Sequence, residues 1–120
     1  MAKNKLPTEA FVEKFEMLSG LLHSVYSEMK EFSKKKPDDA LNKFKVANIN
    51  RVLEKIKELL KDDPTIEFLD LLDDETLPTN SDAILIISQY SASTQTYRGK
   101  FTNEWGNWKT FKSPTSEDED

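Results

Sequence analysis

The sequence contains no cysteine and a single histidine, His23, and these two scarcities disfavour several chemistries. Without cysteine the chain can form no disulfide, no thiolate zinc site and no thiol nucleophile. A di-iron helix would need a glutamate three residues before His23, where the sequence has Gly20. A Ser–His nucleophile needs an orienting group and an oxyanion hole, and only three glycines are available for tight loops. We therefore interpret His23 as a structural helix residue, and we predict no catalytic residue, metal site or cofactor.

Long apolar segments and basic excess are also missing. The longest apolar run, residues 83–87, is far shorter than the roughly 20 residues of a membrane-spanning helix. The N-terminal stretch MAKNKLPTEAF has no apolar core of the kind found in signal peptides. The net charge of −5 is unlike the basic excess of a duplex DNA binder, and no glycine-rich phosphate loop is present. We expect a soluble cytoplasmic protein that contacts neither membrane nor duplex DNA.

Two segments in the first half carry helical periodicity. In residues 8–33 the apolar positions recur at spacings of four and three, from Phe11 to Phe32, and Thr8 is a plausible N-cap. The stretch SKKKPDD interrupts this pattern, and a second apolar stripe of the same period follows in residues 38–62. Because the two segments have similar lengths and a short connection, they are predicted to form an antiparallel helical hairpin.

The stretch ILIISQYSASTQTYRGKF, residues 84–101, is ambiguous because its composition suits a strand. Its large residues nevertheless recur at spacings of three and four, a pattern that continues from Ile84 to Trp105 and Trp108. Burial of such a stripe outweighs the small helix penalty of β-branched residues. The periodicity predicts a third long helix over residues 81–104, with a β-hairpin from 83–90 to 93–101 as the alternative.

These patterns together predict an all-α fold. It consists of the hairpin, a short acidic helix near residues 65–73, an irregular acidic loop to Asn80, and the third helix packed on the hairpin. We predict one domain, residues 1–112, with three or four helices in a bundle. The acidic end of the chain, residues 113–120, is predicted to be disordered because it is too polar to pack.

The aromatic and basic stretch YRGKFTNEWGNWKTFK, residues 97–112, is the most suggestive for function. Aromatics at helical spacing are most often core, but an exposed version would suit protein recognition. We therefore predict Tyr97, Trp105 and Trp108 as partner-binding residues of a non-enzymatic interaction or adaptor module. The alternative function is single-stranded nucleic acid binding, in which rings stack on bases beside cations. The residues that would serve it are Arg98, Lys100, Phe101 and Lys109, with the same aromatics.

The acidic residues Asp70, Asp73 and Asp74 form a second predicted surface. They lack the regular spacing and the central glycine of a calcium loop, so a basic partner is the better hypothesis. The heptad pattern of the first helix also suggests a homodimer, in which that helix packs against a second copy. An enzyme is the weakest of the functional classes considered, because an active site requires several groups that are missing.

Overall fold

The computed structural model describes residues 6–110 and confirms the all-α fold. Its elements are α1 (Glu9–Lys35), α2 (Lys43–Leu59), a 3₁₀ helix (Pro64–Phe68) and α3 (Asn80–Phe101). Isolated bridges join Ala40 to Thr79 and Thr102 to Trp108, and residues 6–110 contain no strand. The predicted acidic tail, together with Phe111 and Lys112, lies outside the described residues.

Helix α1 forms where the sequence predicts it. The Thr8 hydroxyl accepts a hydrogen bond from the Phe11 amide at 3.1 Å, which satisfies one of the free N–H groups of the first turn. The stripe of apolar residues then buries Phe15, Leu18, Leu22 and Met29. Lysines in the last turn suit the negative end of the helix dipole, and Pro37 follows the C-cap.

Helix α2 is shorter than the predicted range 38–62. It begins at Lys43 because the Asn42 side chain caps it, accepting from the Lys45 amide at 2.8 Å. Residues 37–41 instead pair with the chain that enters α3. The Leu41 backbone amide donates to the Pro78 carbonyl at 2.8 Å, and the Asn80 backbone amide donates to the Asp39 carbonyl at 2.8 Å. The predicted antiparallel hairpin is present, since Lys45 at the start of α2 lies over Phe32 near the end of α1.

The short helix predicted near residues 65–73 is present only as the 3₁₀ helix Pro64–Phe68, so it is shorter than predicted. Asp63 caps it, and Leu69 is already extended. The chain then continues as a return segment, residues 69–79, that buries Leu69 and Leu72 in the core. Its spacing of three between apolar residues resembles helical periodicity, but an irregular extended path buries the same side chains.

The return segment determines how the helices are oriented. It carries the chain back along the bundle, so α3 starts beside the end of α1, where the Asn80 side chain donates to the Lys36 carbonyl at 2.8 Å. The end of α3 consequently lies beside the start of α1, where the Tyr97 ring contacts the Phe15 ring. Helices α2 and α3 therefore run parallel to each other and antiparallel to α1.

Helix α3 confirms the helical prediction over the alternative β-hairpin. The Thr79 hydroxyl caps it, and its buried side chains include Ile87 and Tyr90. The helix ends at Phe101, however, so the predicted stripe does not continue to the tryptophans. Trp105 and Trp108 both lie beyond the end of the helix, in the turn that follows it. Among residues 6–110, no helix combines the length and apolar character needed to cross a bilayer.

Candidate interaction surfaces

Two of the predicted partner-binding residues, Tyr97 and Trp108, lie together against α1. With Phe11, Phe15 and Phe101 they form an aromatic cluster. Ring centroids are 5.3 Å apart for Phe15 and Tyr97 and 5.2 Å for Phe15 and Trp108, the latter pair edge to face. These separations are favourable for aromatic pairs, which add about 0.5–1.5 kcal/mol to the burial of their area. The cluster attaches the end of the described chain to the first helix.

A carboxylate that the sequence analysis missed, Glu16, holds this cluster together. The Trp108 indole donates to its Oε2 at 2.7 Å, and Arg98 donates to its Oε1 at 2.7 Å. The Arg98 guanidinium also lies 5.3 Å from the centroid of the Phe15 ring. Hydrogen bonding from Arg98, and secondarily from Trp108, outweighs desolvation and holds the pKa of Glu16 below its usual value. Glu16 therefore remains an acceptor for both side chains at neutral pH.

A second missed carboxylate, Asp63, fixes the start of the connection between α2 and α3. The Lys100 ammonium donates to its Oδ1 at 2.8 Å, and the Thr65 hydroxyl donates to its Oδ2 at 2.6 Å. Burial raises the pKa of Asp63, but the hydrogen bonds from Lys100 and Thr65 and the Lys100 charge together outweigh it. The pKa therefore lies below the usual value for aspartate.

The Asp63→Asn variant should be less stable at neutral pH by about 1–2 kcal/mol, because it keeps the cap but loses the charge that Lys100 faces. Because the pKa of Asp63 is lower in the folded protein than in the unfolded chain, its ionised form contributes fully to stability above about pH 4. This contribution disappears as the pH falls through the pKa of the folded protein. The gap between the wild-type and variant free energies of unfolding should therefore narrow on acidification. Urea denaturation between pH 7 and pH 3 measures it, with exposed Asp62→Asn as the control. A gap that stays constant over this range would contradict the assignment.

Three of the residues predicted for nucleic acid binding already contact other residues of the protein. Arg98 is bound to Glu16, Lys100 is bound to Asp63, and the Phe101 ring packs against Tyr97 with centroids 4.8 Å apart. The fourth, Lys109, is exposed, and its backbone amide donates to the Phe101 carbonyl. The structure therefore does not gather these residues into one open basic and aromatic groove.

The remaining predicted residue, Trp105, is displayed on a hydrogen-bonded C-terminal turn, defined as residues 102–108. The Asn103 side chain accepts from the amides of Trp105 and Asn107 at 2.9 and 3.0 Å. Backbone bonds between Asn103 and Gly106 and a bridge between Thr102 and Trp108 close the turn. Gly106 has a φ of 83°, which other residues rarely adopt. The Trp105 side chain at the tip is 75% exposed.

The predicted acidic residues all lie on the surface of the return segment. Asp70, Asp73 and Asp74 are exposed, with the apolar ring of Phe68 exposed just before them. Amide hydrogen bonds from Glu75 and Thr76 lower the pKa of Asp73, so this carboxylate is ionised at neutral pH. The Tyr90 hydroxyl donates to the Asp70 carbonyl at 2.8 Å. Burial, with smaller contributions from the Asp70 and Glu54 charges, raises the pKa of Tyr90, which stays neutral as a donor.

Comparison of the chain with protein-family models, with curated proteins and with solved structures finds no match. Tyr97 and Trp108 belong to a partly buried cluster packed against the core, whereas Trp105 and the three aspartates face solvent.

Proposed function

We propose that this protein is a non-enzymatic protein-interaction module that recognises its partner chiefly through Trp105. The observation that carries the proposal is a large aromatic side chain held 75% exposed on a hydrogen-bonded turn. The other tryptophan, Trp108, is by contrast partly buried against the core.

The C-terminal turn suits this role because hydrogen bonds within it already hold its backbone. Tryptophan is enriched among the residues that dominate binding energy, and it provides a large contact area with few rotatable bonds. The turn already fixes the backbone through the Asn103 side chain and the Thr102–Trp108 bridge. Association would therefore immobilise little more than the Trp105 side chain itself, which lowers the entropic cost of binding.

The charge of the return segment indicates what kind of partner would also contact the acidic surface. Asp70, Asp73 and Asp74 lie in a stretch, residues 64–82, that contains no lysine or arginine. A basic partner would associate faster with this surface at low ionic strength, and its affinity would fall as salt screens the charges. We place the adaptor in the cytoplasm, the location that the cysteine-free sequence favours.

Trp105→Ala is the variant that tests the proposal. The immobilised full-length protein is used to isolate its partner from the cells that produce it, and the affinity for the purified partner is then measured. Loss of Trp105 should weaken binding by at least about 30-fold, the loss expected for a residue that contributes ~2 kcal/mol. The urea midpoint of the variant should stay unchanged, because the side chain is exposed.

Leu85→Ala is the matched control, since Leu85 is 60% exposed on α3 but does not lie on the turn. It should bind like the wild type. Equal affinities of the Trp105→Ala and wild-type proteins would refute the role of the turn.

The alternative, single-stranded nucleic acid binding, has less support because Arg98 and Lys100 are already paired with carboxylates. Stacking on Trp105 would quench its fluorescence, and binding through cations would weaken steeply with salt. We expect no quenching when oligonucleotides are added at low ionic strength. Salt-dependent quenching that disappears in Trp105→Ala would favour the alternative over the adaptor.

A further inference from the structure

Helices α1 and α2 leave a groove open on the surface of the bundle. Its volume is about 410 Å³, and its walls are almost entirely apolar. The apolar residues that line it are Leu21, Val25, Met29, Phe32, Ile49 and Val52. The polar residues at its edges include Glu28 on the α1 side and Lys45 on the α2 side, both exposed.

The groove lies along the edge of the apolar stripe of α1, beside side chains of that helix that stay partly open to solvent. Met17, Leu21 and Phe32 are 54%, 46% and 36% exposed, and partly buried Val25 lies between them. Their spacings of four, four and seven keep them on one side of the helix. Apolar side chains grouped on one side of a helix can pack against a helix of a partner.

The charges at the edges of the groove identify a second copy of the chain as a suitable occupant. Glu28 and Lys45 line the same groove from opposite helices. If a two-fold axis ran along the groove, α1 of each copy would lie over α2 of the other. Glu28 of one copy would then face Lys45 of the second, and the reverse contact would form by symmetry. The facing helices would be antiparallel, which also suits their dipoles.

We propose that the protein forms a two-fold symmetric dimer in which the α1–α2 grooves of two copies face each other. The interface buries Leu21 and Phe32 from each copy and pairs Glu28 with Lys45 across the axis. It shares no residue with the Trp105 turn, so the dimer and the adaptor proposal can fail independently. The Lys45 ammonium, now 4.6 Å from the centroid of the Phe32 ring, is already positioned at the edge of this interface.

The first test measures the mass of the full-length protein in solution by sedimentation equilibrium over a range of concentrations. We expect a species of twice 13.8 kDa, the mass of one chain. Leu21→Glu should give a monomer with unchanged helical circular dichroism, because Leu21 already tolerates solvent in a single copy. Leu85→Glu places the same charge on an exposed part of α3 and should leave the dimer intact.

The second test uses the reciprocity of the two-fold contact. The homodimers of Glu28→Lys and of Lys45→Glu should each have a dissociation constant at least about tenfold higher than the wild type. The reason is that each of these homodimers places two like charges against each other at both contacts. An equimolar mixture of these two variants should restore the dimer, because both contacts of the mixed pair are then of opposite charge.

Several results would overturn the proposal. They are a wild-type monomer at all concentrations, an oligomer larger than a dimer, a dimer that survives Leu21→Glu, and a failure of the two charge variants to pair when mixed. If the groove instead binds a helix of another protein, the wild type alone would remain a monomer at all concentrations.

Discussion

The Phe15→Ala variant is expected to lose about 3–5 kcal/mol of its free energy of unfolding, the cost of removing a phenylalanine from a packed core. Phe15 is only 1% exposed, and it contacts Tyr97 and Trp108 as well as the Arg98 guanidinium. Its removal leaves a cavity at the place where the end of α3 and the segment after it meet α1. Since small domains have only about 5–15 kcal/mol of stability, the loss is severe. Urea denaturation followed by circular dichroism measures it.

The matched control is Phe44→Ala, the same chemical change at a side chain that is 75% exposed on α2. It should alter stability by no more than about 0.5 kcal/mol. A similar cost at both positions would show that Phe15 does not fill the core. If Phe15→Ala does not fold, Phe15→Leu keeps most of the volume and should show the same direction with a smaller loss.

The same variant should also change the environment of Trp108. The chain has two tryptophans, so a Trp105→Phe background leaves Trp108 as the only tryptophan emitter. With Phe15 removed, the Trp108 indole should become more accessible to an aqueous quencher such as iodide. Unchanged quenching would mean that the 2.7 Å hydrogen bond to Glu16 Oε2 and the neighbouring Tyr97 ring hold the indole in place without Phe15.

The parts of the fold that the sequence predicts are those determined by local, periodic information. The heptad stripe and the Thr8 cap together predict α1, and the stripe from Ile84 to Tyr97 predicts α3 despite its β-branched residues. The start of α2 is less predictable because it depends on a distant partner. Residues that could have formed its first turn instead bond to residues 78–81, which follow them by some forty positions.

The position of the tryptophans shows how periodicity alone can mislead. The spacing continues past Phe101 by coincidence, whereas the side chain of Asn103 bonds amides within the turn and competes with helix formation. Asn103 and Gly106 were therefore the signals in the sequence that could have predicted a turn. The error matters for function, because Trp105 and Trp108 then fall in opposite environments rather than on one face.

The contacts that fix the tertiary structure have no comparable signal in a single sequence. Glu16 meets Arg98 and Trp108 at separations of 82 and 92 residues, and Asp63 meets Lys100 at 37. Charged residues are common throughout this chain, so composition offers many equivalent partners for each carboxylate. Only the return segment, by making α3 antiparallel to α1, decides which of these residues come together.

The Asn50→Ala variant is expected to destabilise the protein by about 2–4 kcal/mol, because two backbone groups of buried Leu72 lose their partner. The Asn50 side chain donates to the Leu72 carbonyl at 3.0 Å and accepts from the Leu72 amide at 2.9 Å, as a neighbouring strand would. The return segment has no strand partner in the described chain at this point, so the Asn50 side chain provides the two hydrogen bonds that a neighbouring strand would otherwise make. Urea denaturation should show a lower midpoint for Asn50→Ala.

The matched control is Asn48→Ala on the same helix. Asn48 is exposed, and its side chain donates only to the Phe44 carbonyl one turn earlier. Its replacement should be neutral or slightly stabilising, because alanine is the better helix former. Tyr90→Phe, which removes the single bond to Asp70 and leaves the ring in place, should cost an intermediate amount of about 1 kcal/mol. Equal stabilities for Asn50→Ala and Asn48→Ala would mean that the buried Leu69 and Leu72 side chains alone hold the return segment between α2 and α3.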